Sequence, residues 1–328
     1  MGLSSTPPSP AAPIDAAPAY LVALTIRLAE GLGQLPVELR DRHAAPFLAA
    51  QQDDGGFAGR DGISDLYYTG FAVRALALLD RLDEPLATRV AAFLQTRLAT
   101  HAHVVDLFSL VFASQLVEMA TGVNAMANQP LDWRDRLAAM IESLRRDDGG
   151  YAKSPEGAAS STYYSFLSVL TLQLIERPID QPERLAEFIL SQRRDDGGFV
   201  EIRPMRRSGV NPTAAAIGVL RVVDPTGVDP IADDVIDFLC EQQTDEGGLR
   251  ANTQIPIADL LSTFTGLLTL ADLDAAAEVD LPAVRQFVSS VEQPDGGFIA
   301  AAWDEVVDVE YSFYGLASLG LLETVQRG

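Results

Sequence analysis

Five times along its 328 residues the chain writes one or two acids, two glycines and a large apolar residue. The copies are Asp53-Asp54-Gly55-Gly56-Phe57, Asp147-Asp148-Gly149-Gly150-Tyr151, Asp195-Asp196-Gly197-Gly198-Phe199, Asp245-Glu246-Gly247-Gly248-Leu249 and Asp295-Gly296-Gly297-Phe298. A glutamine (Gln52, Gln192, Gln243, Gln293) closes the segment before four of them. The last three intervals are 48, 50 and 49 residues, and the first, 94, is about two periods with one turn missing. A period of this length decides architecture before any single motif does. The missing turn falls near residue 102, where Thr100-His101-Ala102-His103 stands instead.

The segments flanking each turn differ in pattern. Before the turns, Leu39 to Gln52, Leu86 to Thr100, Arg134 to Arg146, Leu185 to Leu190, Val235 to Leu239 and Leu281 to Glu292 alternate apolar and charged residues at helical spacing. One face of such a helix meets water. After the turns, Tyr68 to Leu79, Leu107 to Val117, Tyr163 to Leu174, Thr213 to Val223, Ser262 to Leu270 and Ser312 to Leu322 are apolar nearly all round. Helices of that kind are buried. The expectation is an all-α fold, an (α/α)6 toroid with six inner helices inside six outer ones. The Gly pair stops and reverses the outer helix, because Gly enters the left-handed region without a Cβ clash. Ala19 to Gly33 caps or closes the ring over residues 19–328, and Ser/Pro/Ala-rich residues 1–18 read as a disordered tail.

Charge and cysteine narrow the function. A net charge of −22 argues against a nucleic-acid surface and against docking on anionic lipid. No 18-residue apolar run is read, so no membrane span is expected. A single cysteine, Cys240, excludes an internal disulfide and fits a reducing, cytoplasmic setting.

Six alternating helix pairs joined by Gln…Asp-Gly-Gly-Phe turns resemble the toroid of protein prenyltransferase β subunits and of squalene and related terpene cyclases. Two stretches are most similar to the geranylgeranyl and farnesyl transferase β subunits. Asp308-Val309-Glu310-Tyr311-Ser312-Phe313-Tyr314-Gly315 resembles the helix that carries a zinc-binding His, and Gly198-Phe199-Val200-Glu201-Ile202-Arg203 resembles a turn near the substrate. The resemblance implies zinc held by an Asp-x-Cys and that His, which would make a thiolate of a substrate thiol. Here Tyr311 stands at the His position, and the other ligands fall in Ile257-Ala258-Asp259-Leu260-Leu261, with Asp259 one place off and no Cys. The basic residues that grip diphosphate fall on Asn252 and Ile255. Zinc-dependent cysteine prenylation is therefore not expected, nor is zinc; magnesium remains open. The Asp-x-Asp-Asp acid of the cyclases is absent, and Asp233-Asp234-Val235-Ile236-Asp237 reads as a solvated helix face.

What remains is a set of side chains at the inner-helix starts. Tyr67, Tyr68, Tyr163, Tyr164 and Tyr314 would line an aromatic funnel for an isoprenoid. Arg203, Arg206 and Arg207, the compact basic cluster before Pro212, would meet its diphosphate. Asp65, Asp106, Asp259, Asp308 and Glu310 recur at one level, either as helix caps or as a carboxylate cluster. Asp259, Asp308 and Tyr311 are the candidate catalytic groups. His101 and His103 with Asp106 make a weak metal signal, and His43 on an outer helix suggests nothing. The expected function is a prenyltransferase-like protein holding an isoprenoid or other apolar small molecule, with room for a helical protein partner. The alternatives are a non-catalytic ligand- or protein-binding toroid and a cyclase-like enzyme with a divergent acid.

Overall fold

The computed structural model describes residues 18–97 and 103–325. Over them run thirteen α-helices: α1 (Tyr20–Leu32), α2 (Val37–Ala49), α3 (Leu66–Leu78), α4 (Glu84–Arg97), α5 (Val104–Thr121), α6 (Trp133–Ser143), α7 (Thr162–Leu174), α8 (Pro182–Ser191), α9 (Val210–Val223), α10 (Ala232–Cys240), α11 (Leu260–Asp272), α12 (Leu281–Ser290) and α13 (Val309–Val325). The odd-numbered helices from α3 to α13 pack each on the next, and α13 returns to α3, which closes an inner ring. Each even-numbered helix packs outside the inner helix that follows it. The alternation of six buried and six amphipathic helices is the expected toroid. The expected tail and the expected missing turn, with His101, lie outside the described residues.

The glycines do what the repeat implies. Gly55, Gly149, Gly197, Gly247 and Gly296 have φ between 86° and 94°. A Cβ on any of them would fall 2.0–2.5 Å from a backbone carbonyl of the next outer helix, at Arg89, Arg184, Asp234, Ala283 and Arg42 respectively. Every turn is thus clamped onto the following repeat, and the last one onto the first. Two residues further on, the turn's large apolar residue donates its N–H to a buried hydroxyl on the inner helix. Phe57 meets Thr69, Tyr151 Ser165, Phe199 Thr213, Leu249 Thr263 and Phe298 Ser312, at 2.9–3.0 Å. Each hydroxyl is the fourth residue of its helix, and in α5 that place is taken by Leu107. The helix whose preceding turn has lost its glycines has also lost the hydroxyl.

Three details differ from the expectation. Inner helices begin one to three residues earlier than the apolar runs suggested. Helix α9 starts at Val210 rather than after Pro212; Pro is tolerated in a first turn, where its missing N–H has no partner to lose. Val104–Thr121 is after all an 18-residue helix apolar enough for a membrane, with mean hydropathy 1.5, but it is an inner helix and mostly buried in the ring.

Helix α1 is additional to the twelve. Its Gly31 packs against the Gly320 backbone of α13. Tyr20 donates to Asp272 Oδ2 at 2.7 Å, Arg27 pairs with the other oxygen at 3.1 Å, and the Tyr20 ring meets Phe166 edge-on. Since Asp272 ends α11 and Gly320 lies near the end of α13, α1 covers the C-terminal end of the ring, which leaves the turn end for access.

Candidate functional site at the ring centre

The first turns of the inner helices meet at the open end. Asp65, Ser161, Asp259 and Asp308 are N-caps there, accepting the amides of Tyr68, Tyr164, Ser262 and Tyr311 at 2.7, 3.1, 2.8 and 2.9 Å. Both oxygens of Asp259 are engaged by Ser262, through its amide and its hydroxyl. The second oxygen of Asp308 accepts from Arg60 Nε at 2.5 Å. Arg60 also grips Asp304 and stands over the Tyr311 ring, tying the first turn to the last interhelical loop. Its contacts hold the Asp304 carboxyl below the usual carboxylate range.

Glu310 is different, because it caps nothing. It accepts from the Tyr67 hydroxyl at 2.8 Å, and burial raises its pKa above the ordinary glutamate value despite that donor. Around the pair, rings from three helices interlock. Tyr67 meets Phe71 at 4.9 Å, Phe71 meets Phe313 at 5.3 Å and Tyr314 at 5.4 Å, and Phe264 meets Tyr314 at 5.7 Å. Tyr311 reaches Tyr314 at 6.1 Å. Burial pushes the hydroxyls of Tyr163 and Tyr311 each up to about 12. Tyr163, on α7 across the ring, is close enough for its hydroxyl to feel Arg74 and Glu310. Tyr67, Tyr163, Tyr311 and Tyr314 therefore share one region. Tyr68 and Tyr164 stand at its edge, each beside its neighbouring tyrosine.

The residue that sequence reasoning passed over is Arg74. Two turns into α3, its guanidinium carbon lies 4.1 Å from the Phe71 centroid and 4.7 Å from that of Phe313, with Phe112 and Phe108 at 5.8 and 6.0 Å. Burial lowers its pKa from the usual arginine value. The available signal was a lone charge inside Leu66-Tyr67-Tyr68-Thr69-Gly70-Phe71-Ala72-Val73-Arg74-Ala75-Leu76, an otherwise uncharged inner helix.

Arg203, Arg206 and Arg207 are exposed on the loop between α8 and α9. Within that loop Glu201 accepts from Ser161 and from the Tyr163 amide, so the loop passes the rim beside Tyr163. Arg194 holds it by the carbonyls of Arg203 and Met205. Among the described residues no group of three or more His, Cys, Asp or Glu is placed to hold a metal. Ala258 and Leu260 are buried. Asp233, Asp234 and Asp237 are exposed on α10, and His103 is exposed before α5.

A closed double ring of six helix pairs, plugged at one end and polar-aromatic at the other, defines an α/α toroid. The chain belongs to the prenyltransferase alpha-alpha toroid domain family, whose model matches residues 3–224 and 214–327. No curated protein matches its sequence. Among solved structures it is similar to Candida albicans protein geranylgeranyltransferase-I complexed with GGPP, at 16% identity over 86% of this chain and 91% of that one, TM-score 0.70. It is similar to a variant of the type II terpene cyclase MstE from Scytonema in complex with geranylgeranyl dihydroxybenzoate, at 13% identity over 93% and 99%, TM-score 0.61. The α-1,6-mannanase GH76A of Salegentibacter sp. HEL1_6 shares the fold at 14% identity over 89% and 99%, TM-score 0.56. At these identities the likeness is one of fold.

Proposed function

We propose that the protein binds a linear isoprenoid with its apolar chain among the rings at the centre of the toroid, without zinc-dependent cysteine prenylation. The observation that carries this reading is the interlocked aromatic set from α3, α11 and α13 around Arg74, at the end of the ring that α1 leaves open. Aromatic faces suit both unsaturated chains and positive charge. Two of the similar structures hold geranylgeranyl compounds, which supports the chain class. Arg203, Arg206 and Arg207 would receive a diphosphate at the rim, as exposed cations on one loop can. A divalent magnesium ion would bind there with the diphosphate rather than in a dedicated protein site. The setting is cytoplasmic, and a helical protein would be the partner on the family pattern.

A second reading is favoured by Glu310. With Asp259 and Asp308 bonded as caps, the half-buried Glu310 beside Tyr67, whose pKa burial raises, is the group best placed to protonate an alkene, with Tyr311 next to it. In that case the chain is a cyclase-like enzyme with a divergent acid.

Thermal-shift titration with farnesyl and geranylgeranyl diphosphate, with and without magnesium, tests the binding reading. Stabilisation that saturates is expected, and no shift at roughly millimolar ligand would sink it. Product analysis of the same incubations separates the second reading, which requires a cyclised hydrocarbon skeleton.

A further inference from the structure

Arg74 is bonded on one side and open on the other. Its Nε donates to the Gly70 carbonyl at 3.0 Å. Among the described residues Nη1 and Nη2 have no acceptor, and the side chain forms no ion pair. It is nevertheless only partly buried, so part of the side chain stays open to a ligand. A guanidinium shielded from bulk water and without a carboxylate calls for something to satisfy its donors. The aromatic faces meet part of that need but leave the in-plane N–H edge unserved. Glu310 is near enough to be felt, yet its carboxyl is bonded by Tyr67 and holds its own proton more tightly than usual.

We infer that Arg74 is a ligand-binding residue, and that the ligand carries a single carboxylate on its apolar body, seated against the Nη edge of Arg74 between the rings of α3, α5 and α13. The shape argues for a carboxylate. With Nε occupied and rings against the guanidinium, the two Nη groups present a flat edge, which matches two coplanar oxygens. The charge argues for one negative charge only. Of the six inner helices, just α3 and α9 carry a basic residue, and the α9 one, Arg221, is exposed near that helix's end and bonded to the Asp272 carbonyl. A diphosphate, with several charges, suits the exposed rim arginines better than a site with one cation. The substrate class is thus an isoprenoid-bearing carboxylic acid.

This inference rests on the isoprenoid reading, and three matched probes keep the two apart: geranylgeranoic acid, its methyl ester and geranylgeraniol, titrated calorimetrically into the full chain. The acid should bind at least about tenfold more tightly than ester or alcohol, as one charge-assisted bidentate pair provides. In Arg74→Met the acid should lose that advantage, while ester and alcohol keep their affinity within about twofold. Equal affinities of the three probes in the wild type overturn the role of Arg74 and leave the isoprenoid reading standing. Binding of none overturns the role of Arg74, and the diphosphate titration above decides the isoprenoid reading separately. Because the wild-type comparison needs no variant, the inference stays testable if Arg74→Met fails to fold; Arg74→Lys then keeps the charge and should retain part of the preference.

Discussion

His43 Nδ1 accepts the backbone amide of Gly297 at 3.1 Å across a separation of 254 residues. The imidazole is fully buried, stacks on Phe298 with centroids 4.9 Å apart, and brings Nε2 to 3.2 Å from Glu292. Because Nδ1 accepts, the proton of the neutral ring sits on Nε2, which lies near that carboxylate without a hydrogen bond to it. First repeat and last repeat are joined through a histidine that must stay uncharged.

Acid should therefore open this seam. Burial, helped by Arg42, lowers the His43 pKa to about 4, against about 6.5 in an unfolded chain. The unfolded state takes up the proton first, so the contribution is complete above about pH 6.5 and is lost as the pH falls to about 4. The full shift corresponds to about 3 kcal/mol. Urea unfolding at pH 7.5 and 4.5 should show a larger drop for the wild type than for His43→Gln. Equal drops would mean that His43 does not titrate between the two states.

The hydroxyl clamp is testable one repeat at a time. Thr213 is buried, accepts the Phe199 amide at 2.9 Å and donates to the Gly209 carbonyl at 2.7 Å. Thr213→Val keeps the volume and leaves that amide without an acceptor, which costs about 1–3 kcal/mol. Leu107→Thr in α5 should bring no matching gain, since the turn that would use it has no Gly pair. A neutral Thr213→Val in denaturant titration would reduce the clamp to a coincidence of spacing.

Much of this architecture was legible because backbone geometry wrote it into composition. Only Gly reaches φ near +90° under an approaching carbonyl, and a Cβ on the second residue would fall 2.4–2.6 Å from a packed side chain, so the five pairs had to be Gly-Gly, and their spacing counted the ring. The site was legible only in part. An Asp at an inner-helix start serves equally as cap or catalyst, and only the bonds of Asp65, Asp259 and Asp308 show that they cap. Glu310 resembles them in sequence but sits two places past a cap, where it faces Tyr67. Arg74 was invisible for another reason: period and hydropathy mark it as an interruption in α3, and besides Phe71 of its own helix the rings that explain it come from two other helices, α5 and α13. His43 looked like a surface residue of a charged helix until the ring closed over it.

Helix α6 should be the weakest outer element. No described turn glycine clamps it, whereas each of the other five outer helices has one, and it buries only Leu137 and Ile141. Local openings follow such scarcity of buried contacts. Amide exchange measured by mass spectrometry should be faster in residues 133–143 than in α4, α8 or α12. Equal protection would show that the ring opens only as a whole.

Glu310 should be a group that costs stability. Its pKa is raised by burial, so its folded form is most favourable below the unfolded carboxyl value near 4.5 and loses ground as the pH rises through the folded value. Glu310→Gln keeps the shape and the acceptor for Tyr67 while removing the buried charge. The variant should therefore melt higher than the wild type at pH 8, by a few degrees, with the gain shrinking towards pH 4.5. Tyr67→Phe should act in the opposite direction on the carboxyl, because it withdraws a donor that favours the ionised form and so raises the pKa further. A carboxyl held half-buried at a cost to the stability of the fold is what a functional group looks like. If Glu310→Gln melts lower at pH 8 instead, the carboxylate holds the centre of the ring together, and the protonating role would have to be sought elsewhere.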